Sequence, residues 1–261
     1  MSGDIFKKRK IHSLLVLLIL SFLTFGSIVL TEYDPIKGVS SIPKAIHWGI
    51  DNFYPNEKAF QKLPDILDKL IETVLISIAA TTVAAVFALI FAIMGSNTTK
   101  TNAWMSKISR GFATIFRNID IAAWAMILLF SFGQSALTGY FALFFGSFGF
   151  LTRAFIETID EISSSSVEAL RATGASYLSI IFQSVIPSVI PQLISWILFM
   201  IETNIRNATL VGILTGTGIG FAFNLYYKSL NYSTASLVVL VIVITILTIE
   251  WISNYVRRVI L

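Results

Sequence analysis

No cysteine occurs among the 261 residues, which excludes disulfides, thiolate metal sites and a cysteine nucleophile and leaves the redox compartment open. Histidine is almost as scarce: His12 and His47 are the two in the chain, too few to assemble a histidine dyad or a histidine-based metal cluster. No Gly-x-x-x-x-Gly-Lys-Ser/Thr phosphate loop is present, so this chain is not expected to hydrolyse ATP. Only 13% of residues are charged, against about 25% in soluble domains. The +4 net charge comes without a basic stripe interleaved with aromatics, which argues against nucleic-acid binding. Catalytic residues, cofactors and metal ligands are not expected.

What the chain has instead is long uncharged runs. Hydrophobic residues make up 55% of it and the mean hydropathy is +0.78, and the lysines and arginines fall in short blocks between the runs, the pattern of membrane spans and their loops. A crossing helix needs ~20 mostly apolar residues. Runs that qualify are Ser13 to Leu30, Ile71 to Gly95, Ala113 to Gly133, Tyr140 to Ile156, Val189 to Leu214 and Ser236 to Val256. The expected fold is therefore an all-α polytopic membrane protein with about six transmembrane helices, five being the fallback count. The first run is read as an uncleaved span and not a signal peptide, because it exceeds the usual ~7–15 apolar residues and no small-x-small cleavage site follows.

The basic cluster Lys7, Lys8, Arg9 and Lys10 sets the N-terminus inside by the positive-inside rule. Alternation then puts Ser96 to Phe112, Glu157 to Ser188 and the C-terminal Arg257 and Arg258 in the cytoplasm, so that both termini are expected on the cytoplasmic side of a cell (plasma or inner) membrane. The outer segment Thr31 to Leu70 contains Pro35, Pro43, Pro55 and Pro64 and reads as neither a span nor a regular soluble domain; Trp48, Phe53 and Tyr54 suit the headgroup level. Residues 1–70 thus form an N-terminal helix with an extracytoplasmic segment, and 71–258 a membrane domain whose cytoplasmic loop spans 157–188.

That loop is too polar to cross a membrane and too patterned to be slack. Val167, Leu170, Tyr177 and Ile181 recur near the helical period, with Gly174 in the same stripe, predicting an amphipathic segment with a partner-facing side. Ser165-Ser166-Val167-Glu168 fits a capping box and predicts a helix from Ser166. Gly174 either ends this helix in a left-handed conformation or admits another backbone closely. Pro187 and Pro191 interrupt the helical pattern at the entry to the next span.

Glu168-Ala169-Leu170-Arg171-Ala172-Thr173-Gly174, followed by Ile186-Pro187, resembles the EAA loop of ABC importer permeases. Glu168, Ala169, Gly174 and Pro187 fall in its register, whereas Leu170, Ser184 and Ile186 depart from it. The resemblance implies a type I ABC importer permease fold, a coupling helix seated on a separate ABC ATPase (two copies), a permease homodimer and an extracytoplasmic substrate-binding protein. Three more segments are similar to phosphonate-type permeases: Phe116-Arg117-Asn118-Ile119 running into Ala122 to Ala125, Glu157 to Glu161, and Glu202 to Ala208 running into Gly212 and Gly218-Ile219-Gly220. Thr215-Gly216-Thr217-Gly218-Ile219-Gly220 stands where that group has a stretch richer in glycine. The implied cargo is phosphonate or a related phosphorus oxyanion. Methionine and osmoprotectant permeases share the pattern, and a channel or structural membrane subunit is the rival from another class.

Ionisable residues inside spans are functional candidates by default. Glu202 and Arg206 share a helix face four residues apart, either as a structural ion pair or with Arg206 attracting an anion in the translocation path. Arg117, near Asp120 in the first turns of the third span, either snorkels to headgroups or lines that path. Glu250 reads as interfacial. Gly212, Gly216, Gly218 and Gly220 suggest a re-entrant turn, tolerated at membrane depth where protein surrounds it.

Overall fold

A computed structural model describes residues 2–260, and every regular element among them is a helix. The chain divides after Phe53 into two compact units. The first holds α1 (Ser2–Leu30) and α2 (Pro35–Asn52). Residues 7–30 of α1 are apolar and long enough to cross a bilayer. Asp34 caps α2, its carboxylate accepting from the Ile36 and Lys37 amides at 3.0 Å, and Pro35 pre-sets the first turn. The segment Thr31 to Leu70, read as neither a span nor a regular soluble domain, is largely helical: its prolines sit in or beside first turns, except Pro43, which α2 accommodates internally.

The second unit opens with α3 (Glu57–Phe60) and α4 (Leu63–Gly95). Its boundary precedes residue 71 because Ala59 and Ile66 are buried in one cluster with Ile219, Leu237 and Val238. Then come α5 (Ala103–Asn118), α6 (Ile121–Phe132), α7 (Ala136–Ile162), α8 (Ser164–Ala172) and α9 (Tyr177–Ile180). A π turn (Ile181–Val185), α10 (Ile186–Thr215), α11 (Gly218–Lys228) and α12 (Tyr232–Ile260) complete it. Among the described residues five helices suffice to cross a membrane, and α5 with α6 makes a sixth if the bent pair counts as one span.

Small residues bring the central helices together, as expected where lipid gives no hydrophobic drive for association. Ala80, Ala84, Ala88 and Ala92 recur along one face of α4 and are fully buried; the last three share a core with Phe148, Leu151, Phe155 and Ile159 of α7. Asn204 of α10 is wholly buried among them and donates to Thr81 Oγ1 of α4 at 2.8 Å and Ser147 Oγ of α7 at 2.5 Å.

Two expected spans change shape. The run from Ala113 to Gly133 is not a straight helix: α5 and α6 meet at 92°. Asp120 ends the run by accepting from the Ala122 amide at 2.8 Å as the cap of α6. Phe116 stacks on Trp124 at 5.2 Å between ring centres, and both rings lean on Phe145. Gly149 of α7 lets the backbone at Phe116 and Arg117 come within contact of α7, a place where a β-carbon would collide. Arg117 and Asp120 consequently belong to different helices and not to the first turns of one. The fifth span is longer than expected, running from Tyr177 to Thr215. Pro187 does not break it, because the π turn before it shifts the ladder, the Ile186 amide reaching five residues back to Ile181.

Candidate functional site

Helix α8 is tied at both ends. Ser163 alone separates it from α7, and its hydroxyl donates backwards to the Ile159 carbonyl at 2.6 Å while the Val167 amide bonds to the Ser163 carbonyl at 3.0 Å. The capping box expected from Ser165 and Glu168 is therefore not formed: the helix begins at Ser164 with no side-chain cap, the short connection doing what a cap would do. At the other end the Ala175 amide reaches the Leu170 carbonyl at 3.2 Å and the Gly174 amide the Arg171 carbonyl at 3.0 Å. With Gly174 at φ +78, this is the Schellman termination. Of the two readings of Gly174 the left-handed one applies; within this chain nothing lies within 4 Å of where its β-carbon would stand.

The apolar stripe does not run straight on through the loop. Val167 is buried and Leu170 half-buried against a core that includes Ile180, Ile181 and Val185. Tyr177, expected in the same stripe, is exposed along with Leu178 and Phe182. The register resets because Gly174 ends α8 and Ser176 starts α9 afresh, accepting from the Ser179 amide at 3.3 Å. Val167, Leu170 and Ile181 of the expected stripe thus pack inward, whereas Gly174 and Tyr177 are exposed, as are Glu168, Ala169 and Arg171, with Leu178 and Phe182 nearby in sequence. Pro187 is exposed in the first turn of α10.

A polar knot lies behind α8. Asp160 Oδ1, near the end of α7, accepts from the Ser96 hydroxyl at 2.6 Å, the Thr98 amide at 3.0 Å and the Thr98 hydroxyl at 3.1 Å. Its other oxygen faces Arg110 Nη2 of α5 at 3.3 Å, and Arg110 Nε donates to the Gly95 carbonyl at 2.8 Å. Arg171 of α8 donates to the Thr98 carbonyl at 2.8 Å. The Thr98 peptide groups therefore join α8 to α7, and Arg110 carries the network on to α5 and the end of α4. Sequence reading missed Asp160, Ser96 and Thr98 as a group. The available signal was an acid beside the apolar Ile156 and Ile159, one turn before α8.

At mid-length of α7 the α5–α6 bend opens onto a hollow of about 320 Å³ lined by Arg117, Asp120, Gly146, Phe150, Thr203 and Asn207 among others. Arg117 also lines a polar hollow with Thr114, Asn118 and Arg153, while Asp120 and Asn207 line a further small one. The three share walls and form one groove along the bend. Arg153 is paired with Glu157 at 2.5 Å; the Arg117 guanidinium has no hydrogen-bond or ion-pair partner among the described residues. Glu202 and Arg206 do not line this groove. They pair at 2.6 Å, and the second Glu202 oxygen lies 3.9 Å from Arg257 Nη2 of α12. Glu202 is the enclosed member, its side chain 13% exposed against 54% for Arg206.

The glycines after α10 form a tight hairpin: Gly216 and Gly218 take positive φ, and the Ile219 amide donates to Thr73 Oγ1 of α4 at 2.8 Å. Among the described residues no group of His, Cys, Asp and Glu is placed to hold a metal.

Residues 84–260 match the family described as binding-protein-dependent transport system inner membrane component. The phosphate-import permease protein PhnE of Mycolicibacterium smegmatis is 28% identical over 73% of this chain and 36% of its own length, so the chain spans little more than a third of that relative. The phosphite transport system permease protein PtxC of Stutzerimonas stutzeri is 29% identical over 72% of this chain and 69% of its own. A chain of the inward-facing MetNI methionine ABC transporter superposes on 76% of this one and 98% of itself, at TM-score 0.61 and 18% identity.

Proposed function

The chain belongs to the family of binding-protein-dependent transport system inner membrane components, and on that premise we propose that it carries phosphonate or a related phosphorus oxyanion across the membrane at the expense of ATP hydrolysed elsewhere. It is a multi-pass inner-membrane protein with the fold of type I ABC importer permeases. Its partners in this reading are two copies of an ABC ATPase, an extracytoplasmic binding protein and a second copy of itself, with both termini in the cytoplasm.

The observation that carries the proposal is the geometry of α8. A short helix tied to α7 by one residue and to the loop between α4 and α5 through Arg171 is expected to move as one body with the spans behind it. The exposed side of the loop holds Glu168, Ala169, Arg171 and Gly174, which with Leu170 and Pro187 are the residues the loop resemblance assigns to the ATPase. A pull on that side is transmitted to the bundle, consistent with rigid-body rocking between access states. Pro187 belongs to this site as the start of α10, beyond the π turn.

The cargo assignment rests on the two relatives, whose names concern phosphate and phosphite, and on Arg117. An unpaired guanidinium on a groove wall at mid-helix depth suits an oxyanion, which it can bind bidentately. Glu202 and Arg206 are assigned to holding α10 against α12 through Arg257 and not to the path. Transport assays in proteoliposomes with the cognate ATPase and binding protein test the cargo. Uptake of phosphite, phosphate or phosphonate is expected to be competed by another phosphorus oxyanion and not by methionine; competition by methionine alone contradicts it.

A further inference from the structure

Helix α2 has a clean division of faces that the transport reading does not use. Ile36, Val39, Ile42, Ile46 and Ile50 follow at steps of three or four residues and so share one side of the helix. Lys37, Ser40, Lys44 and Asp51 share the other. The five aliphatic residues are between 53% and 82% exposed, and no residue of α2 is buried. An apolar face of this size left in water is costly, and nothing within its own unit covers it.

What lies next to it is set by α1. Residues 7–30 cross a bilayer by length and composition, and only Thr31 to Asp34 separate them from α2, a connection that reaches at most about 14 Å. Helix α2 therefore starts at the membrane surface where α1 emerges, on the side opposite the basic cluster Lys7 to Lys10. A helix with one aliphatic face, a polar face bearing lysines and no burial in protein has the composition of an interfacial helix.

We propose that α2 lies in the plane of the bilayer, its Ile/Val face in the acyl boundary and Lys37 and Lys44 among the headgroups, so that α1 is held at both membrane faces by lipid. The proposal rests on the multi-span membrane reading and is independent of the cargo and of which face is cytoplasmic.

The absence of native cysteine allows single labels. Nitroxides on Val39→Cys, Ile46→Cys, Ser40→Cys and Lys44→Cys are introduced into the full chain, assembled with its ATPase in lipid nanodiscs. Collision with oxygen relative to a water-soluble nickel chelate is expected to be several-fold higher at 39 and 46 than at 40 and 44. Bimane on the same cysteines is expected to be quenched by shallowly brominated lipid at 39 and 46 alone. Shielding of 39 and 46 from both collision reagents, with no lipid quenching, overturns the proposal in favour of a protein cover. Equal nickel access at all four overturns it in favour of a helix standing in water. Either failure with ATP-driven uptake intact removes the placement of α2 and leaves the transporter reading standing.

Discussion

Gly174 is where a single atom decides most. Its φ of +78 lies in the region that costs other L-residues roughly 1–2 kcal/mol, with asparagine among the best tolerated. Gly174→Asp is expected to insert and fold with near-normal yield, since open space surrounds the position, and to lose ATP-driven uptake through the charge placed at the exposed C-terminal end of α8. Gly174→Asn is expected to retain more uptake than Gly174→Val, whose branched side chain disfavours the left-handed end. Size-exclusion yield beside uptake checks both, and full uptake by Gly174→Asp would remove the coupling role. For Arg117, replacement by alanine is expected to cut uptake at unchanged yield, with lysine restoring part of it because a point charge lacks the planar fork. Arg206→Ala is expected instead to lower folded yield with uptake per folded molecule preserved, because its partner Glu202 is the enclosed one; uptake lost at normal yield would transfer Arg206 to the path.

Elements were unevenly legible from the sequence. The long apolar runs located the spans, and the spacing of Glu168, Ala169, Gly174 and Pro187 located α8. The bend between α5 and α6 was not legible, because no proline or glycine marks Asn118 to Asp120; Gly149 on a distant helix and the Phe116–Trp124–Phe145 rings make it. The cap of α8 was misread for a different reason. Four successive serines, Ser163 to Ser166, offer several equivalent caps, and the chain leaves α7 too tightly to use one. Nor did sequence reveal that Asp160, Ser96, Thr98, Arg110 and Arg171 meet, since they come from four separate stretches. Asp160→Ala removes the acceptor of three hydrogen bonds and leaves Arg110 without its carboxylate. A loss of about 1–3 kcal/mol is expected from the charged hydrogen bonds, read as a lower thermal midpoint, together with ATPase activity no longer stimulated by cargo-loaded binding protein. Unchanged stimulation would show that the knot is not part of the coupling. In the bundle centre, Asn204→Leu is expected to cost about 0.6–2 kcal/mol by removing its bonds to Thr81 and Ser147, measured by thermal unfolding in detergent.

At the scale of the whole molecule, α8 is a short helix held between two long apolar helices, α7 and the span that runs from Tyr177 to Thr215. In the proposed mechanism this helix makes uptake depend on an ATPase bound to it. The most direct measurement is uptake into proteoliposomes holding the chain alone, the chain with its ATPase, and the Gly174→Asp chain with its ATPase, each with binding protein and with or without ATP. Uptake is expected only where the unaltered chain, ATPase and ATP are together. Cargo entering vesicles that contain the chain alone would contradict it and make the protein a channel.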